Sequence, residues 1–201
     1  MNIKKVIDEF IAWAFQSPDP PVERAYRQKL EELLAMESSE INKNFTFFWK
    51  GPLSQWSYSP FRDNTGKIFS CAEQYMMYCK ALLFGDTETA EHIMRTPTPR
   101  EMQALGRRVF GFVQKIWDEK CEKFVYEGNC LKFRQNPKHR EELFKTAGTT
   151  LVEASPIDRI WGIGLNEEIA KVTSPEKWQG KNLLGKILTR VRDDLMKEGI
   201  K

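Results

Sequence analysis

One short stretch of the chain combines residue types that packing alone rarely needs together. Its members with chemical potential are Glu153, Asp158, Trp161, Gly162 and Gly164. Glu153 follows the apolar pair Leu151-Val152, which is typical of a buried strand, so its carboxylate would lie where that strand leaves the core. The two glycines allow positive φ or a close approach of the backbone to a ligand. Two acids, a flat ring and a permissive backbone together predict a pocket for a charged, flat, hydroxyl-rich ligand.

A helix earlier in the chain offers a second pair of chemical groups, Glu73 and Lys80. Seven residues make two helical turns, so both side chains share one face and lie about 10 Å apart along the axis. That separation is too long for an ion pair and suits a sugar-sized ligand between the two groups. Each residue has a structural alternative. Glu73 would complete a capping box with Ser70, and Lys80 would be a solvated surface lysine, although much of this helix is apolar.

Four further positions are candidates for substrate contact: Trp56, Trp117, Asn182 and Gly185. Trp56 lies in a polar-aromatic loop, whereas Trp117 lies on an apolar helix face, where core packing is an equally good explanation. An indole stacked on a nucleobase contributes about 1–3 kcal/mol. Asn182 and Gly185 begin the last helix, whose backbone N–H groups either meet a phosphate or only form a capping turn. Glu153 either binds a substrate hydroxyl or anchors the turn that follows it.

The elements that must hold these residues are mostly helical. Aromatic and apolar runs predict short strands at residues 45–49, 67–69 and 151–152. Caps, periodicity and breaking residues predict helices over 70–84, 87–95, 98–106, 110–133 and 182–197, with a short helix that ends near 146. Trp49, Phe61 and Phe69 are expected in the core. The class is therefore α+β, predominantly helical.

Composition limits the kinds of function. The chain has 201 residues and a net charge of +3, with acidic and basic residues interspersed, which does not identify a nucleic-acid binder but tolerates a phosphate-bearing ligand. The four cysteines form no C-x-x-C pair and there are two histidines, so no metal site is expected. Without a signal peptide or a long apolar run, we expect a cytoplasmic protein with no membrane contact.

Several blocks of the sequence together resemble the NADAR family, the YbiA-like N-glycosidases. They follow one another as Phe48–Trp56 with Ser59–Phe61, Ala72–Asp86, Leu105–Arg107 with Trp117, Leu131–Asn136, Leu151–Gly164, and Trp178–Gly185 with Val191-Arg192. The block ending at Gly164 is the most specific. The resemblance implies a compact NADAR/YbiA-like domain over residues 45–198. Residues 1–40 lie outside the resemblance, and their apolar periodicity predicts an N-terminal helical extension, a hairpin of two helices.

This resemblance implies cleavage of the C–N glycosidic bond between ribose C1 and an amino-bearing base, with no cofactor and no metal. The implied substrate is either ADP-ribosylated guanine, free or within nucleic acid, or a phosphoribosylamino-pyrimidine intermediate of riboflavin biosynthesis. The family's catalytic or substrate-contacting positions match Glu73, Trp117, Asp158 and Trp161 in this sequence, with Lys80 a further candidate. Bacterial members often carry His after the helix glutamate. Here that residue is Gln74, which cannot titrate.

The roles that follow for the catalytic candidates are hypotheses about charge and protons. Asp158 would lie near the reacting sugar carbon and position water, while Glu73 would hold ribose hydroxyls or act as the acid. Lys80 would offer a second route, through an imine at C1 of a ring-opened ribose. Two other classes remain open. One is a non-catalytic binding module for ADP-ribose or an NAD derivative, and the other is an interaction protein that uses the N-terminal helices.

Overall fold

The computed structural model describes residues 28–30, 32–33 and 43–200. The predicted helical extension over residues 1–40 therefore lies almost entirely outside the described residues. Residues 28–30 and 32–33 are helical. Within the described part of the chain, no helix is both long enough and apolar enough to cross a membrane.

In the described part of the chain three short strands come first, five helices follow, and a fourth strand precedes the last helices. The strands are β1 (Phe45–Phe48), β2 (Phe61–Arg62), β3 (Ile68–Phe69) and β4 (Thr150–Glu153). The helices are α1 (Ala72–Leu83), α2 (Thr87–Arg95), α3 (Pro99–Gly106), α4 (Gln114–Gln135), α5 (Pro137–Phe144), α6 (Glu167–Lys171) and α7 (Leu183–Lys197), with a 3₁₀ turn at Pro175–Lys177. The predicted class, α+β and predominantly helical, is confirmed.

The strands form two small sheets, of which one joins segments far apart in sequence and the other joins neighbouring segments. β1 pairs in parallel with β4, and Phe48 lies opposite Glu153 at the end of the ladder. β2 and β3 pair antiparallel across the turn at residues 63–66. β4 is buried at Leu151 and Val152, and Glu153 comes at the point where the strand emerges. The parallel pair therefore delivers one acid to the edge of the core.

Helix α1 is the centre of the helical layer, because it packs against α2, α3 and α4. Its buried residues include Met76, Met77 and Ala81. Gly128 of α4 lies against the ring of Tyr75, so the two helices approach closely. Helix α7 covers the other side of α4 and packs on β4. Both acid-bearing elements, α1 and β4, are thus held by one core.

Three local predictions were wrong for identifiable reasons. The capping box does not use Glu73: Cys71 is the N-cap of α1, and the Gln74 side chain accepts the backbone N–H of Ser70 at 2.7 Å. The long helix begins at Gln114 rather than at residue 110, because Gly111 takes a positive φ of 69°. Trp49 is 45% exposed rather than in the core, whereas Phe61 and Phe69 are buried as expected.

Candidate active site

A cavity of about 520 Å³ lies between α1, α3, the segment 49–57 and the turn after β4. Its lining combines acids, bases and indoles: Trp49, Lys50, Gly51, Ser54, Gln55, Trp56, Ser57, Glu73, Met76, Gln103, Arg107, Glu153, Ser155, Ile157, Asp158, Trp161 and Leu184. Glu73, Glu153 and Asp158 therefore converge on one space, as do Trp56 and Trp161. The volume falls within the range of small-molecule sites.

Asp158 is fixed by the turn that follows β4. Its Oδ1 atom accepts the backbone N–H groups of Ile160 and Trp161, both at 2.8 Å. Its own carbonyl accepts the N–H of Gly164, so the turn closes on itself. One carboxylate oxygen is thus used for positioning, while the residue remains half-buried in the cavity wall.

Glu73 is the most deeply placed acid of the cavity, with 2% of its surface exposed. Burial, with the nearby carboxylates of Glu153 and Asp158, raises the pKa of Glu73 to about 8, against a smaller lowering by a hydrogen bond from Trp56. Its Oε1 atom has no hydrogen-bond partner among the described residues. The Ser70 N–H is accepted by Gln74 and not by Glu73, so the Glu73 side chain is left to face the cavity. With a pKa of about 8 it is a protonated carboxyl near neutral pH.

Glu153 is a second acid whose pKa is raised. Burial and then the charge of Asp158 raise the pKa of Glu153 to about 8. Its Oε2 atom is also buried without a hydrogen-bond partner in the described part of the chain. Unpartnered buried polar atoms are costly, and two of them around one cavity indicate groups that await a polar ligand.

One face of α4 holds the loop that carries Trp56. The Asn129 amide donates to Gln55 Oε1 at 2.8 Å, and the Lys132 amine donates to the Ser54 carbonyl at 2.8 Å. Asn136 extends this row to the next segment by donating to the Pro60 carbonyl at 3.1 Å. These positions are three and four residues apart, so they share one side of the helix.

Lys132 is fully buried, and burial lowers its pKa to about 7. Between about pH 7 and 10.5 the unfolded chain therefore binds a proton that the folded chain does not. We expect the stability of the folded protein to rise with pH across this window and to lose that contribution as the pH falls toward 7. The slope is at most about 1.4 kcal/mol per pH unit.

Chemical denaturation of wild type and Lys132→Met at several pH values measures this contribution as a difference. The difference in unfolding free energy is expected to grow with pH, while Lys123→Met, at an exposed position of the same helix, follows wild type. Parallel curves for wild type and Lys132→Met would show that the buried amine keeps its proton.

Six of the residues singled out in the sequence lie outside the cavity lining: Lys80, Trp117, Gly162, Gly164, Asn182 and Gly185. Trp117 is 8% exposed in the core and stacks on Phe124. Lys80 is half-buried, with its amine 4.1 Å from the centroid of the Phe112 ring, and burial followed by the charge of Arg107 lowers its pKa. Gly162 packs tightly inside the turn, because a Cβ added at this position would lie within 3.0 Å of two carbonyl oxygens.

Asn182 holds β4 rather than facing the cavity. Its Oδ1 accepts the backbone N–H of Glu153 at 3.0 Å, and its Nδ2 donates to the Leu151 carbonyl at 3.0 Å. The residue is 4% exposed and takes a left-handed conformation, with φ of 53°. Asn182 therefore positions Glu153 from behind.

Sequence reasoning gave no role to several residues that line the cavity. Gln103 reaches it from α3, and Arg107 reaches it from the C-cap of that helix. Trp49 and Lys50 reach it from the end of β1. Arg107 belongs to the block Leu105–Arg107, one of those that resemble the family, and this was the available sign in the sequence that Arg107 belongs to the site. Among the described residues, no group of three or more His, Cys, Asp or Glu is arranged to hold a metal ion.

A second cavity, of about 490 Å³, opens on the other side of α3. It is lined by His92, Arg95, Thr96, Pro97, Glu101, Ala104, Leu105 and Arg108. It holds one carboxylate and none of the predicted site residues. The consecutive residues Arg107 and Arg108 thus point to different cavities, and the acid cluster belongs to the first.

The comparison with known families identifies the domain. A family model described as the NADAR domain matches residues 47–196, which span α1 to α7 and the whole acid cluster. The chain belongs to the NADAR family. An N-glycosidase of Acanthamoeba polyphaga mimivirus is 46% identical over 145 residues, which cover 70% of this chain and 85% of that protein.

Two further NADAR comparisons extend this result. The NMR structure of the E. coli protein YbiA matches with a TM-score of 0.63 and 26% identity, over 79% of this chain and 88% of that chain. A chloroplastic riboflavin biosynthesis protein of Arabidopsis thaliana is 30% identical over 115 residues, which cover 55% of this chain and 17% of that protein. The YbiA match shows that this NADAR chain has the fold of that protein.

Proposed function

We propose that the protein hydrolyses the bond between C1 of a ribose and the nitrogen of an amino-bearing base. The observation that carries the proposal is the convergence of Glu73, Glu153 and Asp158 on one cavity with indoles in its wall. Hydrolysis of an N-glycosyl bond is the reaction class of this NADAR chain, in keeping with its mimiviral relative, an N-glycosidase.

The leaving nitrogen needs a proton, and Glu73 supplies it. A carboxyl with a pKa of about 8 is protonated at neutral pH and is well matched to act as a general acid. When the C1–N bond breaks, its electron pair goes to the nitrogen, which takes the proton from Glu73. Glu153, also protonated near neutral pH, donates a hydrogen bond to a ribose hydroxyl.

The sugar carbon becomes positively charged as the bond breaks, and Asp158 stabilises that charge. The backbone N–H groups on its Oδ1 fix the carboxylate, so the other oxygen can orient water toward C1. Water adds to C1 and yields its proton to Asp158. Trp161 and Trp56 offer ring faces for the base, where stacking contributes about 1–3 kcal/mol.

An imine route through Lys80 is the competing chemistry. Because its amine lies over Phe112 and outside the cavity lining, direct attack by water needs no rearrangement of this residue. In the imine route the amine would displace the base at C1 of the ring-opened ribose, and water would then release the lysine. Borohydride reduces such an imine to a stable adduct. A trapped adduct in wild type, absent in Lys80→Ala, would overturn direct attack, and no adduct in wild type supports it.

Two substrate classes fit the proposed reaction: ADP-ribosylated guanine, free or in nucleic acid, and a phosphoribosylamino-pyrimidine. The second class is suggested by the name of the Arabidopsis relative. Turnover of both compounds by wild type and Asp158→Ala decides between them. We expect release of the base from at least one substrate by wild type only. Binding of both without turnover would instead support a non-catalytic module for ADP-ribose derivatives.

The proposed acid makes activity depend on pH. The pKa values of Glu73 and Glu153 are both raised to about 8, so the protonated forms are lost as the pH rises through that value. We expect kcat/KM to fall above about pH 8, by up to tenfold per pH unit for one essential proton. A profile of kcat/KM from about pH 6 to 10 measures this. A profile without an alkaline decline would exclude a carboxylic acid as the proton donor.

A further inference from the structure

The Gln55 side chain is a buried amide of the cavity wall that the reaction chemistry does not use. It is 8% exposed, and it lines the cavity together with Glu73. The Gln55 carbonyl accepts the backbone N–H of Glu73 at 3.0 Å, and Trp56 is the next residue in the chain. Gln55 is therefore joined directly to an indole proposed to stack on the base and to the acid proposed to protonate its nitrogen.

The orientation of this amide is fixed by Asn129 of α4. The Val125 carbonyl can only accept a hydrogen bond, and it accepts one from Asn129 Nδ2 at 2.8 Å. The same Nδ2 atom donates its second hydrogen to Gln55 Oε1 at 2.8 Å. Reversal of either amide would bring two acceptors or two donors together. Asn129 keeps this orientation although its own Oδ1 is buried without a partner among the described residues.

The Nε2 end of Gln55 is thereby left for another contact. Within the described part of the chain it meets no oxygen acceptor, and its contact is the Met76 sulfur at 3.9 Å. A thioether is a weak acceptor, and a buried amide donor without a good acceptor is destabilising. Since Met76 also lines the cavity, a ligand that carries an acceptor there would satisfy this donor.

We propose that Gln55 determines specificity by donating a hydrogen bond to the ring nitrogen of the base that lies next to the scissile amino group. This rests on the proposed function, which places the leaving nitrogen at Glu73 and the ring against the indoles. In both proposed substrates, the ring carbon that bears this amino group is also bonded to a ring nitrogen with a free lone pair. As the C1–N bond breaks, electron density on the leaving nitrogen spreads onto that ring nitrogen, where a fixed donor stabilises it. The site therefore selects a base with an acceptor at this position rather than any flat ring.

Substrate analogues in which C–H replaces this ring nitrogen test the contact. One pair is ADP-ribosylated guanosine and its deaza analogue, and the other is the phosphoribosylamino-pyrimidine and the pyridine that lacks the same nitrogen. Gln55→Met keeps the length of the side chain and removes the amide. It is expected to lower kcat/KM by about 10- to 100-fold for the parent compounds and by less than about threefold for the analogues. Differences in intrinsic reactivity cancel, because each ratio compares the variant with wild type on one compound.

Two further variants separate the contact from a change of structure. Asn129→Leu allows the Gln55 amide to reverse, so it should show the same selective loss to a smaller degree. Gln135→Met is the matched control, because both ends of that amide bind the backbone of Arg62 and the residue lies outside the cavity lining. It should not distinguish a parent compound from its analogue.

Equal losses of Gln55→Met on parent and analogue would overturn the contact. Calorimetry with Asp158→Asn measures binding of the same pairs without turnover and without any change at Gln55. The parent compound is expected to bind about 10- to 100-fold more tightly than its analogue, and equal affinities would also overturn the contact. If wild type turned over neither parent compound, the proposed function would fail, and the binding comparison would still decide the role of Gln55.

Discussion

Replacement of Asp158 by Asn is expected to lower kcat by at least about a hundredfold while the turn keeps its shape. The asparagine carbonyl oxygen can still accept the N–H groups of Ile160 and Trp161, so the variant removes the charge and little else. Loss of one fixed electrostatic contact to a developing charge typically costs about 10²–10³ in kcat. Steady-state hydrolysis of the better of the two proposed substrates measures the effect.

Two further variants separate charge from turn geometry. Asp158→Ala removes the acceptor as well as the charge, so it should lose at least as much activity and also some stability. Asp63→Asn is the control, because Asp63 accepts backbone N–H groups of Thr65 and Lys67 in a comparable turn, between β2 and β3 and away from the cavity. If Asp158→Asn retained more than about a third of wild-type kcat, the carboxylate would have no part in the chemistry.

Gly185→Ala is expected to destabilise the protein by about 3 kcal/mol, the difference between a clash of about 4 kcal/mol, above the usual range for overpacking, and a gain of about 1 kcal/mol in helix propensity. A Cβ at this position would lie under 3.0 Å from the Leu151 carbonyl oxygen and from both amide atoms of Asn182. One of these groups is a backbone carbonyl, and the other is an amide that already makes two hydrogen bonds to β4. Neither can move without loss of stability. Alanine would gain about 1 kcal/mol of helix propensity over glycine, but overpacking of this kind typically costs more, about 1–3 kcal/mol or above.

Thermal unfolding measures the Gly185→Ala effect, with an expected fall in Tm of roughly 6–12 °C for a chain of this size. Lys186→Ala, at the next and exposed position of α7, is the control and should change stability by less than about 0.5 kcal/mol. The variant should also reduce activity, because the clash displaces the strand that ends in Glu153. A Tm equal to wild type would mean that α7 does not pack on β4 as closely as the structure indicates.

The Asp158 and Gly185 variants test two different sets of residues, those that act on the substrate and those that hold them in place. The acids act on the substrate, while helices hold the segments that carry them. Asn182, at the start of α7, fixes β4 and so Glu153, and α4 fixes the loop of Trp56 through Asn129 and Lys132. Trp56 in turn lies beside Glu73 in the cavity wall and lowers its pKa. Substitution of these supporting residues should therefore lower the stability of the protein and kcat together.

The sequence by itself determined the features that depend on neighbouring residues. Helices α2 and α3 begin and end as predicted, because Asp86 and Thr98 are caps and Pro99 fixes the first turn. The tight cluster of Glu153, Asp158 and Trp161 was also readable, since Glu153 ends β4 and the other two lie in the turn that follows directly. The blocks that resemble the NADAR family predicted the family, and the family match confirms it.

Only the tertiary structure decided which distant groups meet and how they ionise. Phe45 pairs with Thr150, and Lys50 and Arg107 meet the acids, because of contacts between segments that no local pattern specifies. The burial of Lys132 and the raised pKa of Glu73 have the same origin. A pKa depends on solvent and on charges around the folded group, and the linear sequence does not contain those distances.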